Sequence, residues 1–379
     1  MTGKVLHVRS SSHFVGLERL MLQLVPFLQQ EGFDTQVAVF HRQPGPTRSL
    51  HPMVAEARRR GIAAEQLDGG PWFPLRGVVR VAERLRRERF SLLHTHDYKT
   101  DLLGVMAARR AGVPCVATVH GYVFVSRRVR VYRRLDLLAL RFFSMVITVS
   151  EDLRQELLAA GLPGERVVTI HNAIDAEAFA SQDIQPGAHL RQQLGLGRNQ
   201  PVITVVGRLI PGKGHRYFLE AAGQVLRALP EARFLVVGVG PLRGTLEALS
   251  VALGIQQAVS FLGFRRDVAA LMKASDLIVL PSLEEGLSVV LLEALSLARP
   301  LVATAVGGTP EVVKHKETGV LVPPADPKPL AEAMLYLLNH PEEGKRLAER
   351  GREIVLQQFS VETTARKIAD VYREVLGMG

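Results

Sequence analysis

The stretch Asp276-Leu-Ile-Val-Leu-Pro281-Ser-Leu-Glu-Glu285-Gly-Leu-Ser-Val-Val-Leu-Leu-Glu293 decides the fold. Its first apolar run, which ends at Pro281, predicts a short buried strand. Gly286 permits a tight turn, and the apolar spacing from Val289 to Leu297 predicts a helix packed on a sheet. A buried strand that turns directly into a packed helix is typical of a parallel α/β sheet.

Two carboxylates belong to this strand-turn-helix unit. Glu285 lies at the turn and Glu293 about two helical turns further on, so we expect both near one face of the helix. The backbone N–H groups that follow Glu285, at Gly286, Leu287 and Ser288, favour an anion at the helix start. Carboxylates suit sugar or ribose hydroxyls, and N–H groups suit a phosphate. The pattern therefore predicts a nucleotide-sugar site.

A glycine-rich basic turn, Val205-Val-Gly207-Arg208-Leu-Ile-Pro-Gly212-Lys213-Gly214, follows the first predicted strand of the second half. Its glycines, Gly207 among them, let backbone approach a ligand, while Arg208 and Lys213 bring two cations to the same loop. Together they suit a diphosphate and the negative charge that develops as it leaves. The turn is not a P-loop, because that motif needs a different spacing and a Ser or Thr after the lysine, and His215 stands nearby instead.

Two further glycine motifs follow predicted strands. The run from Gly238 to Gly244 only superficially resembles a dinucleotide fingerprint, because Pro241 disturbs the spacing, so a strand-ending turn is the better interpretation. Gly263 and Phe264 could place backbone polar groups beside a nucleobase. The chain has no Gly-x-Ser-x-Gly elbow, which argues against an α/β-hydrolase.

Three histidines lie at strand ends of the first half. His120 ends a predicted strand and could hydrogen-bond a sugar hydroxyl, although a lone histidine more often has a structural partner. His94 and His96 share one strand face and suggest a metal, but no further ligands cluster near them in sequence, so no metal is predicted. An Asp-x-Asp pair, the usual metal-bound holder of a sugar diphosphate, is missing from the sequence.

Strands and helices alternate through both halves of the chain, which predicts parallel sheets covered on both faces. The fold class is α/β, with two doubly wound Rossmann-like domains that face a cleft and a ligand at the carboxyl ends of the strands. The predicted domains are residues 1–180 and 181–359, and residues 181–200 read as a polar linker with one short helix. An amphipathic helix is predicted from Phe359 to Leu376.

Composition places the chain among globular proteins of the cytoplasm. Its 379 residues are 47% hydrophobic and 22% charged, which is normal for a globular protein of two domains. Cys115 is the only cysteine, so no internal disulfide is possible and a reducing compartment is expected. The start lacks the apolar core of a signal peptide, and no run reaches the roughly 18 apolar residues of a membrane span. We expect a cytoplasmic protein, soluble or peripheral on the inner face of the membrane.

The net charge of +10 comes largely from arginines in the first half. These arginines either lie on solvated helix faces or attract the protein to an anionic membrane surface. The segment from Arg127 to Phe143 favours the membrane, because apolar residues and arginines mix there as in an interfacial helix. Nucleic acid is disfavoured, since no basic aromatic module is recognisable. The arginines are Arg84, Arg86, Arg87, Arg89, Arg127, Arg128, Arg130, Arg133, Arg134 and Arg141.

With these motifs together, the chain resembles the family 4 glycosyltransferases, retaining enzymes of the two-domain GT-B fold. The resemblance covers essentially the whole chain and is most specific in the second half. The matching motifs are Gly207-Arg208 with Lys213, Gly238-x-Gly240-Pro, Gly263-Phe264, Pro281-Ser282 with Glu285-Gly286 and Glu293, Gly307-Gly308 with Pro310-Glu311, and Gly319 with Val322-Pro323.

The resemblance implies a role for each candidate residue. Arg208 and Lys213 would hold the donor diphosphate, Glu285 would contact the transferred sugar, and Glu293 would bind the ribose. The loop at Gly263 and Phe264 would lie by the base.

In the first half, the resemblance implies that His120 lines the sugar pocket and that the loop at Gly16 lies near the donor phosphate. Val15 replaces the first of the paired glycines that the family usually has there, which could narrow the acceptor side. The last helix, from about Phe359, would cross back onto the first domain.

The resulting prediction is transfer of a hexose, with retention at the anomeric carbon, to a hydroxyl of a glycan or lipid-linked acceptor. The resemblance favours a UDP-sugar donor, with GDP-mannose as an alternative, and implies no metal and no cofactor. Two other functions stay open: a nucleotide-sugar epimerase, and a non-catalytic nucleotide-sugar-binding scaffold.

Overall fold

The computed structural model describes residues 3–11, 14, 16–41, 50–68, 75–121, 127–181 and 187–378. Within them the chain divides into two compact units. The first unit holds the described residues up to Ala173 together with residues 361–378, and the second holds Ile174–Ser360. The predicted departure at Val15 lies outside the described residues.

The first unit is built on a parallel sheet with strand order β3-β2-β1-β4-β5-β6-β7. From β1 the strands follow chain order toward β3 on one side and from β4 toward β7 on the other, so the direction of winding reverses between β1 and β4. The strands are β1 (Gly3–Ser10), β2 (Phe33–His41), β3 (Ala64–Asp68), β4 (Leu92–Thr95), β5 (Cys115–Val119), β6 (Met145–Thr148) and β7 (Val167–Thr169). The helices between them are α1 (Gly16–Gln30), α2 (Pro52–Arg59), α3 (Leu75–Arg87), α4 (Tyr98–Ala111), α5 (Arg127–Leu140) and α6 (Glu151–Ala159).

The second unit has a parallel sheet with strand order β10-β9-β8-β11-β12-β13. Its strands are β8 (Val202–Val206), β9 (Arg233–Val237), β10 (Val259–Gly263), β11 (Leu277–Leu280), β12 (Leu301–Thr304) and β13 (Val320–Val322). Its helices are α7 (Ala176–Ala180), α8 (Gly187–Gln193), α9 (His215–Ala228), α10 (Arg243–Ala252), α11 (Val268–Ala274), α12 (Val289–Ser296), α13 (Thr309–Val312), α14 (Pro327–Asn339) and α15 (Pro341–Gln358).

The strands form where apolar, β-branched runs can be buried on both faces. All four residues of β11 are buried, and β8 is buried over Val202–Val205. Phe218 of α9 packs edge-on against Phe234 of β9, with ring centroids 5.8 Å apart, inside the largest apolar cluster of this unit. The central strands are therefore rigid, and their carboxyl ends offer fixed positions for loops.

A long amphipathic helix, α16 (Val361–Val375), completes the first unit. Its apolar stripe packs on α1, and Tyr372 is fully buried among the first strands. Arg373 fixes the end of the helix through a 2.6 Å ion pair with Glu31. Helix α16 therefore belongs to the first unit, although it follows the second unit in sequence.

Several details differ from what the sequence patterns indicate. No prediction covered β3 or α4, the latter beginning at a capping box in which Asp97 and Thr100 satisfy each other's backbone N–H groups. Strands β4 and β5 stop one residue before His96 and His120. Arg84 is neither solvated nor available to a membrane, because it is buried and paired with Glu65 at 2.8 Å.

Candidate functional site

The loops after β8 and β11 lie side by side in the second unit. These strands are sheet neighbours, and the chain order reverses between them, which is where doubly wound sheets bind ligands. We call Gly207–Gly214 the β8 loop and Pro281–Ser288 the β11 loop. Together they contain most of the residues that the sequence predicts to bind a donor.

Backbone contacts hold the two loops together. The N–H of Leu283 donates to the carbonyl of Gly212 at 2.8 Å. Gly214 has φ +64°, and a Cβ there would lie 1.8 Å from the carbonyl oxygen of Pro281. A glycine at 214 is thus required twice, by its left-handed backbone and by the close approach of the β11 loop.

An ion pair joins the side chains of these loops. The Lys213 ammonium donates to the Glu285 carboxylate, and the Ser282 hydroxyl donates to the same carboxylate oxygen at 3.1 Å. Both charged side chains are mostly buried. A cation and a carboxylate are therefore preorganised at the carboxyl ends of β8 and β11.

A third loop supports Glu285 from the side of β12. Gly307 has φ +51°, and a Cβ there would lie 1.7 Å from the carbonyl oxygen of Glu285. The N–H of Gly308 donates to the carbonyl of Gly286 at 2.7 Å. The glycine pair thus fixes the backbone that carries Glu285.

Helix α12 begins at the end of the β11 loop. Its N-cap residue, Ser288, makes no side-chain cap hydrogen bond, so the first-turn N–H groups point toward the loop without that partner. Leu287, Ser288 and Glu293 are buried. The helix start offers a positive dipole end near Lys213, an arrangement that suits a phosphate.

The loop after β9 packs against the β8 loop and against the end of β10 through backbone contacts. Gly238 donates its N–H to the carbonyl of Gly263 at 2.8 Å, and a Cβ at Gly238 would lie 1.9 Å from the carbonyl oxygen of Gly207. A Cβ at Gly240 would lie 2.4 Å from that of Leu209. These glycines are packing positions, in keeping with a strand-ending turn and not a dinucleotide fingerprint.

Two predicted donor-binding side chains are exposed. Arg208 on the β8 loop makes no ion pair or hydrogen bond with another described side chain, and Phe264 after β10 is 52% exposed. An exposed guanidinium and an exposed aromatic ring at loop tips are available to a ligand. Gly263 beside them adopts φ +68°.

In the first unit, His120 follows β5 and lines a cavity between the sheet and the helices α1 and α16. The other polar residues that line this cavity are His96, Thr118, His171, Asn172 and Thr364. Burial, reinforced by the positive charge of Arg9, lowers the pKa of His120 to about 3, so the ring is neutral.

His120 ends a chain of buried hydrogen bonds. His96 Nδ1 lies 3.4 Å from His120 Nε2, and His96 Nε2 lies 3.0 Å from His7 Nδ1. His7 Nε2 is 2.9 Å from the Tyr372 hydroxyl, which is 2.6 Å from His94 Nδ1. His94 Nε2 then meets the Thr118 hydroxyl at 2.7 Å. Burial lowers the pKa of His7 to about 3, and those of His94 and His96 well below their ordinary value.

Three of these four histidines are also the candidate metal ligands among the described residues. Ring nitrogens of His7, His94 and His96 lie within 4.8 Å of one another. No further ligand lies near His94 and His96 in sequence, but His7 lies near them in space, because β1 pairs with β4. However, the His94 and His96 rings stack at 4.3 Å, and both nitrogens of His94 already meet hydroxyls. This geometry suits hydrogen bonds better than a shared ion.

Gly16 is the first residue of α1, which follows β1 at the switch point of the first sheet. Two residues further on, Glu18 is buried and accepts from Arg9 at 2.7 Å and from Ser11 at 2.9 Å. The N–H of Ser10 donates to Asp97 at 2.7 Å. The backbone at this sheet edge is thus held by buried charged groups.

The structure brings Gly207, Lys213, Glu285 and Gly286 together in the second unit. His120 and Gly16 belong to the first unit. Ser282 and Gly307 belong to the motifs that carry the family resemblance, but the sequence assigned them no contact with Glu285, and it did not indicate His7 or Tyr372. Nothing in the local sequence of Tyr372 pairs it with His7, which lies 365 residues away.

Known proteins match the whole chain. The model for glycosyl transferases group 1 matches residues 188–354, and that for Glycosyltransferase Family 4 matches residues 14–178. The chain is 29% identical to the UDP-Gal:alpha-D-GlcNAc-diphosphoundecaprenol alpha-1,3-galactosyltransferase of Escherichia coli, over 98% of this chain and 97% of the relative. It is 31% identical to the alpha-D-kanosaminyltransferase of Streptomyces kanamyceticus, over 79% of this chain and 81% of the relative.

Among solved structures, Anabaena HepE in complex with UDP-glucose matches with a TM-score of 0.84 and 25% identity, over 98% of this chain and 100% of that chain. The strand order of both sheets and the loops at their switch points fit the same family that these relatives indicate. The chain belongs to the family 4 glycosyltransferases, the glycosyl transferases group 1, and is a transferase of the GT-B fold.

Proposed function

We propose that this enzyme transfers a hexose from a UDP-sugar to a hydroxyl of a glycan or lipid-linked acceptor, with retention at the anomeric carbon. The second unit would bind the donor and the first unit would present the acceptor. The observation that carries the proposal is the Lys213–Glu285 pair, which places a cation for diphosphate beside a carboxylate for sugar hydroxyls.

The proposed reaction breaks the bond between the anomeric carbon and the diphosphate oxygen and forms one to the acceptor oxygen. Lys213, Arg208 and the N–H groups at the start of α12 stabilise the negative charge on the departing diphosphate. A departing phosphate oxygen takes the proton of the acceptor hydroxyl on the same sugar face. These cations fill the role that a metal has in other sugar-diphosphate enzymes, so we propose a metal-independent reaction.

The remaining candidates bind and orient the donor in this proposal. Glu285 accepts hydrogen bonds from the sugar hydroxyls, and Glu293 binds the ribose. Gly263 and Phe264 lie beside the base.

For two residues of the first unit the proposal keeps the roles that the family resemblance implies. His120 hydrogen-bonds the sugar, and Gly16 lets backbone approach the donor phosphate.

Two relatives favour UDP over GDP as the donor nucleotide. The Escherichia coli relative is named for UDP-Gal, and Anabaena HepE was crystallised with UDP-glucose. GDP-mannose is the alternative donor. The stereochemical proposal is tested by incubating the enzyme with its donor and a hydroxyl acceptor and reading the anomeric coupling of the product by NMR. A product of inverted configuration would exclude the retaining reaction.

An anionic membrane surface is the partner that we propose for helix α5. Val131, Arg134, Leu135 and Leu138 of α5 and Phe142, two residues after its end, follow helical spacing, and all five are exposed. A stripe of exposed apolar side chains with an arginine among them suits the boundary between headgroups and acyl chains. No helix among the described residues is long and apolar enough to cross a bilayer.

Vesicle sedimentation tests this surface. Vesicles that contain phosphatidylglycerol should pellet the wild type, and Leu138→Ser with Phe142→Ser should reduce the pelleted fraction at least fivefold. Leu356→Ser, which changes an equally exposed leucine on α15, is the control and should bind like the wild type. Equal binding to vesicles of neutral phosphatidylcholine would contradict an electrostatic contribution.

A further inference from the structure

Four buried side chains and the partly exposed ring of His120 form one continuous line of hydrogen bonds. The order along the line is His94, Tyr372, His7, His96 and His120, with the Thr118 hydroxyl at the far end. Its members come from β1, β4, β5 and α16, so the tertiary fold assembles it. The established family and the proposed function assign no role to the four members beyond His120.

The donor and acceptor groups that each side chain offers restrict the line to two tautomeric states. A neutral imidazole has one N–H and one acceptor nitrogen, and a phenol that lies between two imidazoles donates to one and accepts from the other. If Tyr372 donates to His7 Nε2, then His7, His96 and His120 all carry their proton on Nδ1, and so does His94. If Tyr372 donates to His94 Nδ1, all four carry it on Nε2. Any mixture of tautomers breaks at least one link.

We propose that Tyr372 is a positioning residue that gives His120 a single tautomer and ring orientation through His7 and His96. His120 Nε2 faces His96, so the line decides whether Nδ1 presents a donor or an acceptor to a ligand. The part of this inference that concerns the sugar rests on the proposed function, in which His120 hydrogen-bonds the donor.

The depth of the cluster makes the coupling effective. The side chains of the inner line are at most 4% exposed, namely those of His7, His94, His96 and Tyr372. Water therefore cannot replace a lost hydrogen bond there without a cost in free energy. Tyr372 meets two imidazoles with one hydroxyl, and its ring packs edge-on against Phe33 at 5.2 Å. Replacing it with phenylalanine removes the hydroxyl and keeps the ring packing.

The direct test is long-range proton–nitrogen NMR of the full-length protein labelled with 15N-histidine, with signals assigned by single His→Gln variants. The line predicts one shared tautomer for His7, His94, His96 and His120 and no titration of the four between about pH 5 and 8. Mixed tautomers, an imidazolium signal in this range, or shifts that disappear on treatment with a metal chelator would overturn the proposal. This measurement needs only the wild-type fold and no activity.

The Tyr372→Phe variant tests the line of hydrogen bonds and the proposed function separately. We expect the His120 signals to become a mixture of tautomers and kcat to fall about tenfold, the effect of one lost hydrogen bond in the transition state. The Kd for UDP should stay within about twofold, because the candidate nucleotide ligands belong to the second unit. Tyr336→Phe, on α14, is the matched control and should change neither quantity.

The outcomes distinguish the two proposals. An unchanged His120 spectrum in Tyr372→Phe would overturn the positioning role. A changed His120 spectrum with unchanged kcat would support the line and overturn the place of His120 in the sugar site.

Discussion

The Lys213 ammonium donates a hydrogen bond to the Glu285 carboxylate across the ends of β8 and β11. The two residues come from loops 72 positions apart in the chain, and their side chains are only 17% and 12% exposed. An ion pair in this environment is held by Ser282 and by backbone contacts between the loops. A diphosphate that enters the site meets a lysine already fixed in position, so little side-chain entropy is lost on binding.

The first prediction concerns the charge of Lys213. Lys213→Met keeps the length of the side chain and removes its charge, and it should lower kcat by about 10²–10³ because the departing diphosphate loses a preorganised cation. Steady-state kinetics with the UDP-sugar measure this. Lys345→Met, at an exposed position of α15, is the control and should behave as the wild type. A loss below threefold in Lys213→Met would remove Lys213 from the site.

The second prediction concerns the close approach at Gly214. Gly214→Ala should destabilise the protein by more than about 3 kcal/mol, because its Cβ would collide with the carbonyl of Pro281. Gly254→Ala has a similar positive φ of +70° but open space around its Cβ, so it should cost only about 1 kcal/mol. Urea unfolding followed by circular dichroism compares the two. Equal losses would show that backbone conformation alone, and not loop contact, requires glycine at 214.

The third prediction concerns acid stability. His7 and His120 have pKa values lowered by burial to about 3 from the ordinary 6.5, so they stay neutral in the folded state while the unfolded chain binds protons below pH 6.5. Their contribution to the free energy of unfolding is complete above pH 6.5 and is lost as the pH falls from 6.5 toward 3. The loss is about 1.4 kcal/mol per pH unit for each such histidine.

Urea unfolding at about pH 7.5, 6.5 and 5.5 measures this slope in a window above the ordinary carboxylate range. A free energy of unfolding that stays constant from pH 7.5 to 5.5 would contradict the neutral, buried state of these rings. The control is the same series on His7→Gln. Its free energy of unfolding should depend on pH less steeply, by the contribution of about one histidine, whatever its absolute stability.

The fourth prediction concerns His215, the first residue of α9. The ring is buried, and neither of its nitrogens hydrogen-bonds a described residue. Burial, with the nearby charge of Lys213, lowers its pKa to about 4. His215→Leu should therefore raise the free energy of unfolding by about 1–3 kcal/mol, with a larger gain at pH 5.5 than at 7.5. His189→Leu, an exposed histidine of α8, is the control, and a destabilised His215→Leu would indicate an important polar partner.

The sequence patterns are most informative where local chemistry alone determines structure. The apolar run before Pro281 and the glycines after it correctly predict β11, the β11 loop and α12, because strand burial, turn and helix start are all encoded within 20 residues. The start of α6 is equally local in origin, because Ser150 accepts a hydrogen bond from the N–H of Leu153 at 3.3 Å.

The tertiary contacts are where these patterns fail. Lys213 lies close to Glu285 because β8 and β11 are neighbours in the sheet. The local sequence around each residue does not encode that strand order. The line from His94 through Tyr372 to His120 depends on α16 returning to β1, and no local period reports that. Arg84 looked like a surface charge because its partner Glu65 lies on β3, a strand that the pattern did not indicate.

The central claim, a nucleotide diphosphate site built on the β8 and β11 loops, is tested most directly by thermal unfolding of the full chain with UDP-, GDP-, ADP- and dTDP-sugars. Arg208→Ala serves as the matched variant, because its side chain is exposed and its loss leaves the fold intact. The account predicts that UDP-sugars raise the Tm of the wild type by several degrees and that of Arg208→Ala much less. An equal shift in both proteins, or no shift with any of the four nucleotides, would contradict it.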